Sequence, residues 1–187
     1  GMGSQYALFY PDEDLIIVLT ADSQNIKGGT QKVLDAVYQM LSAGCPDLTL
    51  DCSRADRYTA GPAGDCGHAG GTYRLMPGQG GFTELTVAMD NEKGCLTLKH
   101  PNAACQIPFG WNQNLENAIL AGYDQPIASS GRWLDEDSLF VCTQLAGESV
   151  GSISFLIRFH PDGITLRMKN VEETRFKESC DFAEGIR

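Results

Sequence analysis

The sequence predicts an α+β, mostly β protein: an N-terminal β-hairpin plus helix, then an antiparallel β-barrel of about eight strands. Three observations lead there. Residues 15–20 are a continuous, largely β-branched run. Residues 33–41 carry apolar side chains at helical spacing, and from residue 71 onward the apolar period drops to two.

Residues 5–10 read as a short strand. Pro11-Asp12-Glu13-Asp14 follows as a turn, with proline where φ is pre-set and acids that bond the local backbone. The run 15–20 then reads as a strand buried on both faces. After a polar loop ending in Gly28-Gly29, Thr30 is placed to cap a helix. Its apolar positions Val33, Leu34, Val37, Met40 and Leu41 form one stripe, and Gly44 and Pro46 end it. A hairpin and one helix of this size cannot close a core alone and call for a further sheet.

Residues 46–67 shift to Asp, Ala, Gly, Ser and Arg with few large apolar side chains, the composition of a linker or irregular crossover. Beyond it, strands are expected at 71–76, 82–89, 95–99, 104–109, 127–133, 138–145, 152–159, 164–169 and 173–176. Turn signals at Pro77-Gly78, Asp90-Asn91, Gly110, Asp135-Glu136-Asp137 and Asp162-Gly163 separate several of them. No helix of ordinary length fits after residue 110, a turn at 115–120 excepted. Segments 84–99 and 154–168 echo each other, each preceded by a Gly-x-aromatic, Gly71 to Tyr73 and Gly131 to Trp133. Two similar meanders closing one barrel and chance likeness between hairpins both account for the echo. The expected organisation is residues 1–44 as hairpin and helix, 45–67 as linker and 68–187 as barrel.

With 187 residues, the chain can bury one core, or one core and a smaller satellite. Its net charge of −10 and pI near 4.6 argue against nucleic acid as a partner, because phosphate recognition needs a concentrated Lys/Arg surface. No stretch approaches the roughly 18 consecutive apolar residues of a membrane-spanning helix. The start, Gly1-Met2-Gly3-Ser4-Gln5, lacks the charged and apolar regions of a secretion signal. A glycine ahead of methionine reads as a cloning remnant, and the chain is expected to be a piece of something longer. Cysteines at 45, 52, 66, 95, 105, 142 and 180 include no Cys-x-x-Cys pair. Their odd number and sparse spacing favour reduced structural thiols. That in turn favours the cytoplasm, with the cell envelope as the alternative if a parent protein carries a signal peptide.

Nucleophilic serine chemistry needs a base beside the serine, and the chain has neither Ser-x-x-Lys nor Gly-x-Ser-x-Gly. His68-Ala69-Gly70 matches a His-x-Gly element only superficially, within a Gly-rich stretch. His100 and His160 each precede proline and are expected at solvent-exposed turns. Asp135-Glu136-Asp137 reads as a hairpin tip rather than a calcium loop, for want of a spaced ligand set. Cys66 and His68 lack the second ligand pair of a zinc site. Gly78-Gln79-Gly80-Gly81 has no following Lys-Ser/Thr and is no phosphate loop. Catalytic residues, metal ligands and cofactors are therefore all assigned as none. Tyr73, Trp111 and Trp133, with Tyr123, are the candidate ligand-binding residues, since aromatics at a barrel mouth enclose apolar ligands or stack on sugars. The competing expectation is that the tryptophans plug a closed barrel end.

Residues 5–22, with the helix segment from Val33 to Tyr38, resemble the end of a serine β-lactamase-like hydrolase. That family includes penicillin-binding proteins, class C β-lactamase-related enzymes, D-alanyl-D-alanine peptidases and related esterases. The shared pattern is a strand, a Pro-x-x-Asp turn, a β-branched strand and a closing helix. Gly1, Gly3 and Gln5 approximate a preceding Gly-x-x-Gly-Gln, with Ser4 in place of the second glycine. From about Gly70 the chain resembles the β-rich C-terminal extension of some bacterial members, through residues 71–75, 129–133 with 135–139, and 155–159 with Asp162. The family's catalytic motifs all precede this region, so the resemblance carries no catalytic residue onto the chain. It implies a serine hydrolase as the parent protein and its missing N-terminal catalytic domain as the partner.

Two functions follow. In the first, the chain is the non-catalytic C-terminal accessory region of such a hydrolase, structural, substrate-shaping or oligomerising, with a homodimer through the orphan hairpin. In the second, it is a stand-alone small-ligand-binding module with a lipocalin-like barrel and an N-terminal cap.

Overall fold

A computed structural model describes residues 4–21, 27–43, 69–78, 80–120, 123–172 and 178–187. The chain divides into two units, Gly1–Arg54 and Ala55–Arg187. The expected linker 45–67 lies outside the described residues, as do Cys45, Cys52, Cys66, His68 and the strand expected at 173–176.

In the first unit, β1 (Tyr6–Tyr10) and β2 (Leu15–Leu19) pair antiparallel, with Tyr6 opposite Leu19 and Tyr10 opposite Leu15. Pro11–Glu13 makes a 3-10 turn. Asp14 closes it in the left-handed region (φ 49°), its N–H donating to the Pro11 carbonyl at 3.4 Å. Aspartate tolerates that conformation better than most residues because its short side chain bonds locally. Helix α1 (Gly29–Ser42) starts earlier than expected, with Gly28 (φ 67°) at the N-cap and no side-chain cap. Thr30, expected as the cap, instead shares a 2.8 Å hydrogen bond with Ser4. The predicted stripe is the covered one: Val37 is buried, and Val33, Leu34, Met40 and Leu41 are half-buried. β2 is covered on one face only, against expectation. Ile16 and Val18, 63% and 68% exposed, stand opposite Phe9 and Ala7 on an open face. Side chains of a strand alternate between two faces, and this hairpin has cover for one.

The second unit is a meander of ten strands: β3 (Gly71–Leu75), β4 (Glu84–Met89), β5 (Lys93–His100), β6 (Ala103–Trp111), β7 (Leu115–Leu120), β8 (Gln125–Trp133), β9 (Ser138–Leu145), β10 (Gly151–His160), β11 (Gly163–Glu172) and β12 (Ser179–Ile186). Around the wall the order is β6-β5-β4-β3-β12-β11-β10-β9-β8, all neighbours antiparallel. A parallel pairing of β6 with β8, Gly110 opposite Ser130 and Trp111 opposite Gly131, closes a ring of nine strands. β7 pairs with the first half of β8, Leu120 opposite Gln125. The result is the mostly β, lipocalin-like barrel the sequence predicted, with nine strands in the ring rather than about eight.

Three local expectations are corrected. Residues 115–120 are strand β7, not a turn, because pairing with β8 outweighs the ambiguous spacing of Leu115, Ala118 and Ile119. Gly110 lies inside β6 rather than at a turn. β12 was absent from the expected strands because its inward positions are small or polar. At Gly185 a Cβ would crowd Ile164, Leu75 and Tyr73, so bulk there comes from neighbouring strands. The two echoing segments are both hairpins of the ring, β4–β5 and β10–β11, but the Gly-x-aromatic ahead of each is placed differently: Gly71 to Tyr73 sits in β3 beside β4, whereas β9 separates Gly131 to Trp133 of β8 from β10.

Alternation fills the barrel. Leu96 and Leu98 of β5, Ile107 and Phe109 of β6, Leu139 and Val141 of β9, and Phe155, Ile157 and Phe159 of β10 are all buried. Phe109 lies directly opposite Gly94 across the β5–β6 ladder and also against Gly131. A Cβ at either glycine would overlap its ring, so both positions need glycine for close approach rather than for backbone freedom.

Candidate functional site

The two ends of the barrel differ. One end carries the short turns β4–β5, β8–β9 and β10–β11, and aromatic rings fill it. Trp111 of β6 stacks on Trp133 of β8 with centroids 6.4 Å apart. Phe109 meets Trp111 edge-on at 5.3 Å, and Phe159 touches Trp133 at 5.7 Å and Tyr73 at 6.2 Å. Trp111 Nε1 donates to the Asp90 carbonyl at 2.8 Å, which ties the plug to the β4–β5 turn. The Arg187 guanidinium lies over the Tyr73 ring at 5.9 Å. The structure thus gathers the candidates Tyr73, Trp111 and Trp133 into one cluster at the filled end.

The turns here are set by acids. Asp90 Oδ1 accepts from the backbone N–H groups of Glu92 and Lys93, both at 2.8 Å, and these bonds hold its carboxyl below the usual carboxylate range. Asp135 is lowered likewise, first by a hydrogen bond from the Ser138 side chain and then by the Asp137 N–H at 3.0 Å. Asp135-Glu136-Asp137 is an exposed hairpin tip. Among the described residues, no group of three or more His, Cys, Asp and Glu side chains could hold a metal ion.

The other end opens into a cavity of about 340 Å³. Leu98, Ile107, Leu120, Ile153, Phe155 and Met168 form its walls, and Phe82, His100, Ala103, Cys105, Tyr123, Asn170 and Ser179 also line it. Period-two alternation explains the choice, since Leu98 and His100 share the inward face of β5, as do Met168 and Asn170 on β11. His100 is exposed, as expected, but it lies on the rim and meets Phe82 edge-on at 6.5 Å rather than standing free at a turn. Asn170 Nδ2 donates to the Tyr123 hydroxyl at 3.2 Å, and Asn170 Oδ1 is buried without a hydrogen-bond partner. Of the aromatics considered from sequence, Tyr123 alone lines this cavity; Tyr73, Trp111 and Trp133 do not. A hollow of about 390 Å³ beside Met89, Lys93, Cys95 and Pro108 is a depression on the outer wall, not a chamber of the barrel. Deeper inside, Ser129 donates to Thr143 at 3.1 Å, so these two buried hydroxyls satisfy each other.

No family model matches the chain, and no curated protein matches it. Solved structures do align. Lipid binding protein 8 of Caenorhabditis elegans, in its apo form, gives a TM-score of 0.48 at 7% identity, over 63% of this chain and 93% of that one. The fatty-acid-binding protein of Manduca sexta gives 0.46 at 10% identity, over 64% and 99%. A fatty-acid-binding protein from brain tissue of Drosophila melanogaster gives 0.44 at 12% identity, over 63% and 98%.

These findings correct the hydrolase resemblance. No family model supports a β-lactamase or penicillin-binding domain. The short segments behind the resemblance describe any strand, turn, strand and helix in succession. The missing N-terminal catalytic domain, implied as a partner only by that resemblance, falls with it. The homodimer through an orphaned hairpin loses the ground on which it stood.

Proposed function

We propose that the barrel binds one small apolar molecule, or the aliphatic part of a lipid, in the cavity at its open end. The observation that carries this reading is the chamber itself. At about 340 Å³ it falls within the range of small-molecule sites, roughly 300–1,000 Å³, and like them it has mostly apolar walls with a few convergent polar groups. Of the two functions expected from sequence, this favours the small-ligand-binding module over a hydrolase accessory region. The names of the aligned structures point the same way. In this reading residues 68–187 are the binding domain, 45–67 its link to the hairpin and helix of 1–44, and Tyr73, Trp111 and Trp133 seal the far end instead of touching ligand.

The test is a bulky side chain at the rim. Ala103 is exposed and lines the cavity, so Ala103→Trp should obstruct it at little cost to stability. Saturable fluorescence of the neutral probe Nile red is expected with the parent protein and lost in the variant, with an unchanged thermal midpoint. Equal binding by both proteins would place the probe elsewhere and sink the proposal.

A further inference from the structure

Among the described residues, the cavity has a polar corner but no counter-charge within it. On the strands that line it, Lys93 and Lys99 of β5, Arg158 of β10, and Arg167 and Lys169 of β11 are all exposed, at positions out of phase with the inward residues. β6, β7 and β12 carry no Lys or Arg. Among the described lining side chains, only His100 at the rim can carry positive charge. Asp181 adds the opposite sign: it stands opposite Met168 in the β11–β12 ladder and lines an adjoining recess with Met168 and Phe82. A carboxylate ligand in this corner would meet no cation among the described lining side chains other than His100 at the rim, and burying an unpaired charge is heavily disfavoured.

Asn170 is the group that remains to be met. Its Oδ1 is buried without a donor while its Nδ2 is engaged by Tyr123. Exchanging oxygen and nitrogen of the amide would not relieve this, because the oxygen would then accept from Tyr123 and leave an amide N–H unmet. A hydroxyl answers either orientation, donating to Oδ1 or accepting from Nδ2, and brings no charge into the chamber. We infer that the ligand is a neutral lipid whose buried polar group is a hydroxyl, such as a long-chain alcohol, and that Asn170 recognises it. The inference rests on the cavity being the ligand site, as proposed above.

Displacement of Nile red by 1-tetradecanol, myristate and methyl myristate at pH 7.5 tests it. Tetradecanol should displace the probe at a concentration at least about tenfold below that of myristate, reflecting the unpaired carboxylate. Asn170→Leu should shrink the advantage of the alcohol over the methyl ester about fivefold, the worth of one neutral hydrogen bond. Circular dichroism checks that variant, and if it does not fold, Asn170→Asp carries the test. The carboxylate of Asn170→Asp should keep the alcohol as a donor and weaken myristate further. Myristate binding as tightly as the alcohol, or an alcohol advantage that survives Asn170→Leu or vanishes in a folded Asn170→Asp, overturns the hydroxyl assignment. Displacement by all three compounds without preference overturns that assignment alone and leaves the cavity as a lipid site. Displacement by none of them overturns both.

Discussion

Trp111 stacks on Trp133 with ring planes 16° from parallel, and the two residues come from the only parallel strand pair in the described barrel. The stack closes the ring and fills its end at once. Trp133 is 9% exposed and touches Phe159 as well, so Trp133→Ala leaves a void that the rigid wall cannot collapse. A loss of about 3–5 kcal/mol is expected in urea unfolding. The folded fraction should still bind apolar probe with unchanged affinity, because Trp133 is remote from the chamber. A weakened affinity at unchanged folding would return the tryptophan to the binding site.

Phe109 occupies space that Gly94 and Gly131 leave for it. Gly131→Ala and Gly94→Ala are each expected to destabilise by about 1–3 kcal/mol, the usual cost of overpacking. Shortening the ring should relieve this. Denaturant midpoints of Gly131→Ala with and without Phe109→Leu make a double-mutant cycle, and purely additive losses would show that the ring is not what the methyl meets.

Cys105 lines the cavity and is half-buried, whereas Cys180 is exposed. A bound lipid should slow alkylation of Cys105 by iodoacetamide severalfold and leave Cys180 unchanged. Peptide mass spectrometry with and without ligand reads both sites in one sample. Equal protection of the two thiols would indicate a global effect rather than occupancy of the chamber.

Asp90 and Asp135 link the turns at the filled end to pH. Their carboxyls are lowered from an ordinary value of 3.8, so the stability they contribute is present above that value and is lost as pH falls through the lower folded value. Asp90→Asn should therefore lower the thermal midpoint at pH 7 and converge with the parent in strong acid. A difference of the same size at both extremes would mean that the backbone bonds to Glu92 and Lys93 do not depend on the charge.

Much of the barrel could be read from its residues, because its strands obey the period-two rule that burial on one face imposes. β9 and β10 show it plainly, with Leu139, Val141, Phe155, Ile157 and Phe159 inside. β12 could not be read that way, since its inward Ala183 and Gly185 yield their volume to neighbouring strands. The helix stripe was legible for the same reason as β9, whereas the open face of β2 was not: a run of Ile, Val and Leu looks alike whether one side is covered or both. The site was the hardest part. His100 lies far in sequence from Asn170 and Ser179, none of the three carries a motif, and only the closure of the ring brings their strand ends to one mouth. The large aromatics drew attention for their size, and size is what suits a residue to plugging.

The pairing of β6 with β8 runs through two residue pairs, while β10 and β11 share a ladder from Gly151 to His160. The ring is thus a bracelet with a short clasp, fastened beside the tryptophans and spanned by β7 toward the cavity. Girth at the mouth is not fixed by a ladder between β6 and β7, since none joins the two among the described residues, nor between β3 and β12, whose pairing stops at Leu75 and Gly185. A bulkier guest would be accommodated by spreading there, at the expense of side-chain contact rather than backbone hydrogen bonds.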